Sequence, residues 1–152
     1  MNNLGDVAEI MDDPIAFISL LSIVNKQGRV QLLEMNEEQL TILEALCNGG
    51  DTAVLKSRQI GSSTVVSAYL FWSLYGATES VTIAILSHKL ASSKHLLEIH
   101  KTFYHNLPEF MKRPLITDNS IEMKFADSGA SIIAVSAEGK GGLRSFTCSY
   151  LQ

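Results

Sequence analysis

Cysteine is scarce in this chain: Cys47 and Cys148 are the only two in 152 residues. Without a Cys-x-x-Cys spacing they exclude a disulfide-stapled mini-domain and a zinc finger, and two buried or partly buried free thiols are expected. Long apolar runs are missing as well. None approaches the eighteen or so residues that a membrane span needs. The opening MNNLGDVAEIMDD is acidic, whereas a signal peptide is basic and then apolar. A cytosolic protein with no membrane partner is expected. Repeats and low-complexity segments are absent too. With 46% hydrophobic residues, the chain suits one domain with a real core and is too short for two.

Charge of one sign is locally thin. The net charge is −4, yet residues 1–51 hold nine acids and two bases, whereas residues 52–152 hold seven acids and ten bases. The second stretch is therefore net basic, as an anionic ligand would require, although scattered Lys and Arg also make an ordinary solvated face. The four histidines, His88, His95, His100 and His105, form no Glu-x-x-His or His-x3-His pair. They read as surface or boundary residues, not metal ligands. Phe71-Trp72 reads as core packing.

What is present is an alternation of elements. Asp12, Asp13 and Pro14 make a helix start, with Ile15, Phe17, Ile18, Leu21 and Ile23 as its apolar face and Asn25 to Gly28 as its end. A short extended piece over 29–33 follows. Asn36 caps a second helix that stops at Asn48-Gly49-Gly50, a left-handed terminator. A short buried strand is predicted over Thr52 to Lys56, then a loop, then a helix from Ser62 to Tyr75 ending at Gly76. Val81 to Ser87 reads as a strand and Leu90 to Asn106 as a helix stopped by Pro108. Ile121 to Ala126 and Ser131 to Ser136 read as a hairpin turning at Asp127-Ser128-Gly129. A Gly-rich loop over Glu138 to Gly142 leads to a strand-like piece over Phe146 to Leu151. Strand and helix in alternation predict an α/β fold with a parallel sheet and a ligand at the carboxyl ends of its strands. The chain stops inside an apparent strand, so a truncated domain is expected.

The loop VLKSRQIGSST, residues 54–64, has the outline of a phosphate-gripping loop. In Gly-x4-Gly-Lys-Ser/Thr, backbone N–H groups at a helix N-terminus cradle phosphates, the lysine reaches the outer phosphates and the hydroxyl holds Mg²⁺. Aligning Gly61 with the second glycine puts Ser63 on the metal hydroxyl, Ser62 on the lysine and Lys56 on the first glycine. Two readings fit the loop taken alone: a plain strand-to-helix turn, or a nucleotide site whose lysine comes early, from Lys56, with Arg58 adding a second cation.

The string Lys56-Ser57-Arg58-Gln59-Ile60-Gly61-Ser62-Ser63-Thr64 resembles the deviant Walker A motif of large terminase subunits, the DNA-packaging motors of tailed bacteriophages. That family accepts an early lysine. Further likenesses run in the family's order. Asp13-Pro14 with Phe17, Ile23 and Gly28 is similar to its N-terminal segment, and Asn36-Glu37-Glu38-Gln39 to its adenine-recognising glutamine motif. Ile85-Leu86-Ser87-His88-Lys89 is similar to its second-strand segment, and Asn119 to Ala137 to the hairpin before its Walker B strand.

The resemblance implies a P-loop NTPase of the RecA/ASCE type, with 1–50 as a helical lead-in carrying the adenine motif and 51–152 as a P-loop core. Its cofactors would be ATP and Mg²⁺. Lys56 would contact the phosphates, Ser63 would help to ligate Mg²⁺, Gly61 to Thr64 would form the cradle, and Arg58 would act within its own subunit. Gln39 would read the adenine, although at three residues beyond Asn36 it equally suits a capping box. Arg144 would reach into a neighbouring subunit's site and stabilise charge on the transferred phosphoryl group. Implied partners are double-stranded DNA, a portal protein and a small terminase subunit, around a homo-oligomeric ring in the host cell cytoplasm. Two departures stand out. Ser145 to Gln152 contains no acid where a Walker B strand ends in Asp and Glu, and no nuclease-type acid cluster is present. A helicase-like RecA-type ATPase fragment and a noncatalytic assembly module of the same fold are the other readings.

Overall fold

The computed structural model describes residues 9–55, 61–138 and 147–152. Residues 9–12 are helical, and helix α1 is Pro14–Ile18, where Asp13 Oδ1 accepts from the N–H groups of Ile15 (2.8 Å) and Ala16 (3.3 Å). This is the cap that the sequence predicts. The helix is shorter than expected, because Ile23 belongs instead to a strand, β1 (Ser22–Val24), paired antiparallel with β2 (Val30–Leu32). Asn25 explains the change. Its side-chain oxygen accepts from the N–H groups of Gln27 and Arg29, and Gly28 takes φ 76°, so a tight turn outcompetes further helix.

Helix α2 (Glu37–Cys47) follows, and Gly49 and Gly50 beyond it both have positive φ (79° and 85°), as a left-handed terminator requires. The strand expected over 52–56 does not form in its described part. Residues 51–55 have no regular structure and are exposed, and Lys56 lies outside the described residues. A strand needs a ladder partner, and none is available to this run among the described residues.

Helix α3 (Ser62–Tyr75) leads through six residues to β3 (Thr82–Ser87), then to α4 (Leu90–His105). A short 3₁₀ turn over Glu109–Met111 precedes β4 (Leu115–Asp118), β5 (Glu122–Phe125), β6 (Ser131–Ser136) and β7 (Tyr150–Leu151). The sheet runs β4-β5-β6-β3-β7. It is mixed, not wholly parallel: β3 lies parallel to both β6 and β7, whereas β4, β5 and β6 are joined antiparallel. The expected 121–136 hairpin is present, turning through Gly129 at φ 72°. Strand β4 went unrecognised, because Leu-Ile-Thr-Asp is too short to show a period. The final strand is shorter than predicted, and Phe146 lies outside the described residues.

Three consecutive residues of β3, Ile83, Ala84 and Ile85, are fully buried, so both faces of this central strand are covered. The core gathers Phe17, Leu43, Phe71, Leu74, Leu97, Phe103 and Phe125. Phe71 sits at its centre, 6.2 Å from the ring of Phe17 and 5.7 Å from that of Phe103. Trp72 is only half-buried and donates to the Met11 carbonyl at 2.8 Å.

Candidate functional site

The short connection from α3 to β3 forces the helix to run against the strand, so its N-terminus lies at the sheet's carboxyl edge. Gln152 marks that edge. Its backbone pairs with Ala84 and Leu86, and its Nε2 donates to Ser67 Oγ at 2.9 Å. Ser62 is five residues nearer the start of α3, about 7 Å further along the helix axis. Here Gly61 takes φ 71° and ψ 20°, left-handed, and no side chain among the described residues caps the helix. Thr64 and Val65 donate to the Gly61 carbonyl, whereas the N–H groups of Ser62 and Ser63 have no acceptor among the described residues. Ser63 is exposed and Ser62 is buried. The hydroxyl expected on a metal thus faces outward, while the residue in the usual lysine position points into the protein.

Gln39 reaches this glycine from α2. The capping box predicted for it is formed: Asn36 Oδ1 accepts from Gln39 N–H at 2.9 Å, and Gln39 Oε1 accepts from Asn36 N–H at 3.0 Å. The same carboxamide then donates from Nε2 to the Gly61 carbonyl at 3.4 Å, across 22 residues of sequence. A Cβ on Gly61 would collide with that Nε2. One side chain therefore serves the cap of α2 and holds the loop glycine. Lys56, Ser57, Arg58, Gln59, Ile60 and Arg144 lie outside the described residues.

Two further features of this edge were not foreseen. His88, just past β3, has Nδ1 2.8 Å from Glu138 Oε1, just past β6, and both are exposed. Ser136 Oγ donates to the His88 carbonyl at 3.0 Å, tying the two strand ends together. The only signal in the sequence is position: each residue stands within two positions of the end of a predicted strand. A cavity of about 310 Å³ also opens beside Thr64, between Ile23, His95, Glu98 and Phe103.

The histidines divide. His88, His95 and His105 are exposed as expected, but His100 is wholly buried, a correction forced by its place on the inner face of α4. Among the described residues no group of three or more His, Cys, Asp or Glu side chains could hold a metal. Both cysteines are free, as predicted, but Cys47 is exposed, not buried.

These observations define a mixed α/β protein with a five-stranded sheet that includes parallel pairs. No helix among the described residues is long and apolar enough to cross a membrane. Comparison of the chain with protein-family models gives no match, and comparison with curated proteins gives no significant one.

Proposed function

We propose that this chain is the ATP-binding part of a viral DNA-packaging motor of the large terminase type, with a P-loop NTPase core. The observation that carries the reading is the contact between Gln39 and Gly61. The two motifs that the resemblance assigns to one nucleotide lie 22 residues apart, and they meet at a left-handed glycine that opens an uncapped helix. Such an N-terminus suits phosphate through its dipole and through the Ser62 and Ser63 N–H groups, which have no acceptor among the described residues.

In this reading Gly61 to Thr64 supply the cradle, the outward Ser63 hydroxyl ligates Mg²⁺, and Lys56 replaces the lysine that Ser62 is not. ATP with Mg²⁺ supplies the phosphoryl group whose transfer drives translocation. Arg58 acts within the subunit and Arg144 across to a neighbour in a homo-oligomeric ring. The ring acts with a portal protein and a small terminase subunit on double-stranded DNA, in the host cytoplasm. Because Ser145 to Gln152 carries no carboxylate to orient water, binding rather than turnover is the activity assigned to these residues.

The test is a titration with a fluorescent ATP analogue and Mg²⁺. Wild-type protein should bind, and Lys56→Ala should weaken binding about tenfold or more, as expected for a lost charge-assisted phosphate contact of roughly 1.5–3 kcal/mol. Equal binding by the two proteins would remove Lys56 from the site. No binding by folded wild type would make the loop a plain turn.

A further inference from the structure

The described asparagines are Asn25, Asn36, Asn48, Asn106 and Asn119, and all but Asn48 have their side chains committed to the backbone. Asn25 holds the β1–β2 turn, and Asn36 caps α2. Asn106 Nδ2 donates to the Thr102 carbonyl at 2.8 Å, and Asn119 Oδ1 accepts from the N–H groups of Ile121 and Glu122. Asn48 is exposed, and it alone of the chain's asparagines is followed by glycine.

Glycine matters there because the amide nitrogen of the next residue is the nucleophile that deamidates asparagine, and a side chain on that residue crowds its approach. Gly49 has none, and a Cβ placed on it would meet nothing within 4 Å among the described residues. Asn48 ends α2 at φ −70° and ψ −10°. Its ψ must swing toward the extended range before Cγ and the Gly49 nitrogen can meet. That swing breaks one hydrogen bond at the helix end, from the Gly49 N–H to the Leu46 carbonyl at 3.2 Å. Beyond it lie two glycines at φ 79° and 85° and a stretch, 51–55, without regular structure. Such a helix end opens far more readily than the whole molecule unfolds. Asn119 is the contrasting case, because freeing it undoes the β4–β5 turn.

We propose that Asn48 is a site of spontaneous modification in the folded protein, giving aspartate and isoaspartate, and that the isoaspartate form is a substrate for enzymes that methylate isoaspartyl carboxylates. The Gly49 nitrogen attacks Asn48 Cγ, the Cγ–Nδ2 bond breaks, and ammonia leaves with the amide proton. Water then opens the resulting succinimide. Addition at Cγ leaves aspartate, and addition at the main-chain carbonyl carbon leaves isoaspartate, with the chain running through Cβ and Cγ. No oxidant or cofactor is needed. Either product puts a carboxylate at the negative end of the α2 dipole, on the helix face of Glu44 four residues before it, where like charges repel. Isoaspartate also lengthens the main chain by one methylene and misplaces the Gly49 N–H that closes the helix.

Mass spectrometry of the intact chain, aged at mildly alkaline pH and then cut with trypsin, tests this. Residues 30–56 form one tryptic peptide, in which fragment ions separate Asn48 from Asn36. Conversion at Asn48 should run at least about tenfold faster than at Asn119, which serine follows. Protein isoaspartate methyltransferase with labelled S-adenosylmethionine should label the aged wild type. Asn48→Gln, whose longer side chain closes a larger ring more slowly, should lose most of that label. The aged form, separated by charge, should melt about 2 °C or more below the fresh one. Three results overturn the site: conversion at Asn48 no faster than at Asn119, a label that Asn48→Gln leaves unchanged, or acceleration of both positions alike by dilute urea, which would place the reaction in the unfolded chain. An unchanged melting midpoint would overturn the effect on α2. None of these outcomes depends on nucleotide binding.

Discussion

His100 packs against the rings of Phe71 and Phe103, with centroids 6.5 and 6.2 Å away. Its Nε2 is 3.3 Å from Gln152 Oε1, and its Nδ1 has no partner among the described residues. Burial holds its pKa down at about 4, against the ordinary 6.5, with the Gln152 contact opposing weakly. The imidazole is therefore neutral in the fold, and the unfolded chain takes up a proton first as pH falls. Stability is full above about pH 6.5, declines toward about pH 4 and levels below it, a total of about 3 kcal/mol from this residue. Denaturant unfolding at pH 7.5 and pH 4 should show this loss, and His100→Leu should remove that share of it. Asp127 acts in a separate, more acidic window. Its hydrogen bonds from Arg113 hold its carboxyl below the ordinary value, so its contribution survives until the pH falls further. At Gly61 the left-handed backbone alone makes Gly61→Ala cost about 1–2 kcal/mol, and the collision with Gln39 Nε2 adds to it. In a Gln39→Ala background the cost should shrink to the backbone part. An unchanged cost would mean that the two residues do not touch in solution.

Among the elements, α2 is the clearest case of local chemistry that can be read in advance. Its cap, its box and its glycine stop are all side-chain or backbone preferences within a few residues, and all are present. Asn36→Ala should lower stability by about 1 kcal/mol in thermal or urea unfolding. The 52–55 segment is the opposite case. Its residues favour a strand, but a strand is a relation between two segments, and propensity in one says nothing about whether the other is there. Leu21 and Ile23 failed for a related reason: a short apolar series fits a helix or a strand, and the Asn25 turn, not the spacing, decided between them.

Over the whole molecule, Arg113 acts as a clasp. Its guanidinium donates to both Asp127 oxygens and to Ser128 Oγ on the β5–β6 turn, and to the Tyr75 and Ala77 carbonyls at the end of α3. It also lies over the Phe125 ring, 4.7 Å from its centre. A planar fork with five donors can do this, and an ammonium cannot. Arg113→Lys should therefore cost about 1–3 kcal/mol despite keeping the charge, seen as a lower midpoint in urea. Of the candidate site, the loop and the glutamine were legible, because motif and spacing lie within single short stretches. Their contact, the burial of Ser62 and the His88–Glu138 pair were not, because each joins segments distant in sequence.

By itself the sequence determined the caps, the turns at Gly28, Gly49 and Gly129, the order of helices and most strands, and the glycine where α3 begins. Each of these is set by the steric and hydrogen-bonding preferences of neighbouring residues. Only the tertiary structure decided that β4 and β5 run antiparallel beside a parallel centre, that His100 is enclosed while its three fellows face water, and that Gln39 reaches Gly61. Those outcomes depend on which distant surfaces exclude water together, and a linear pattern does not record that.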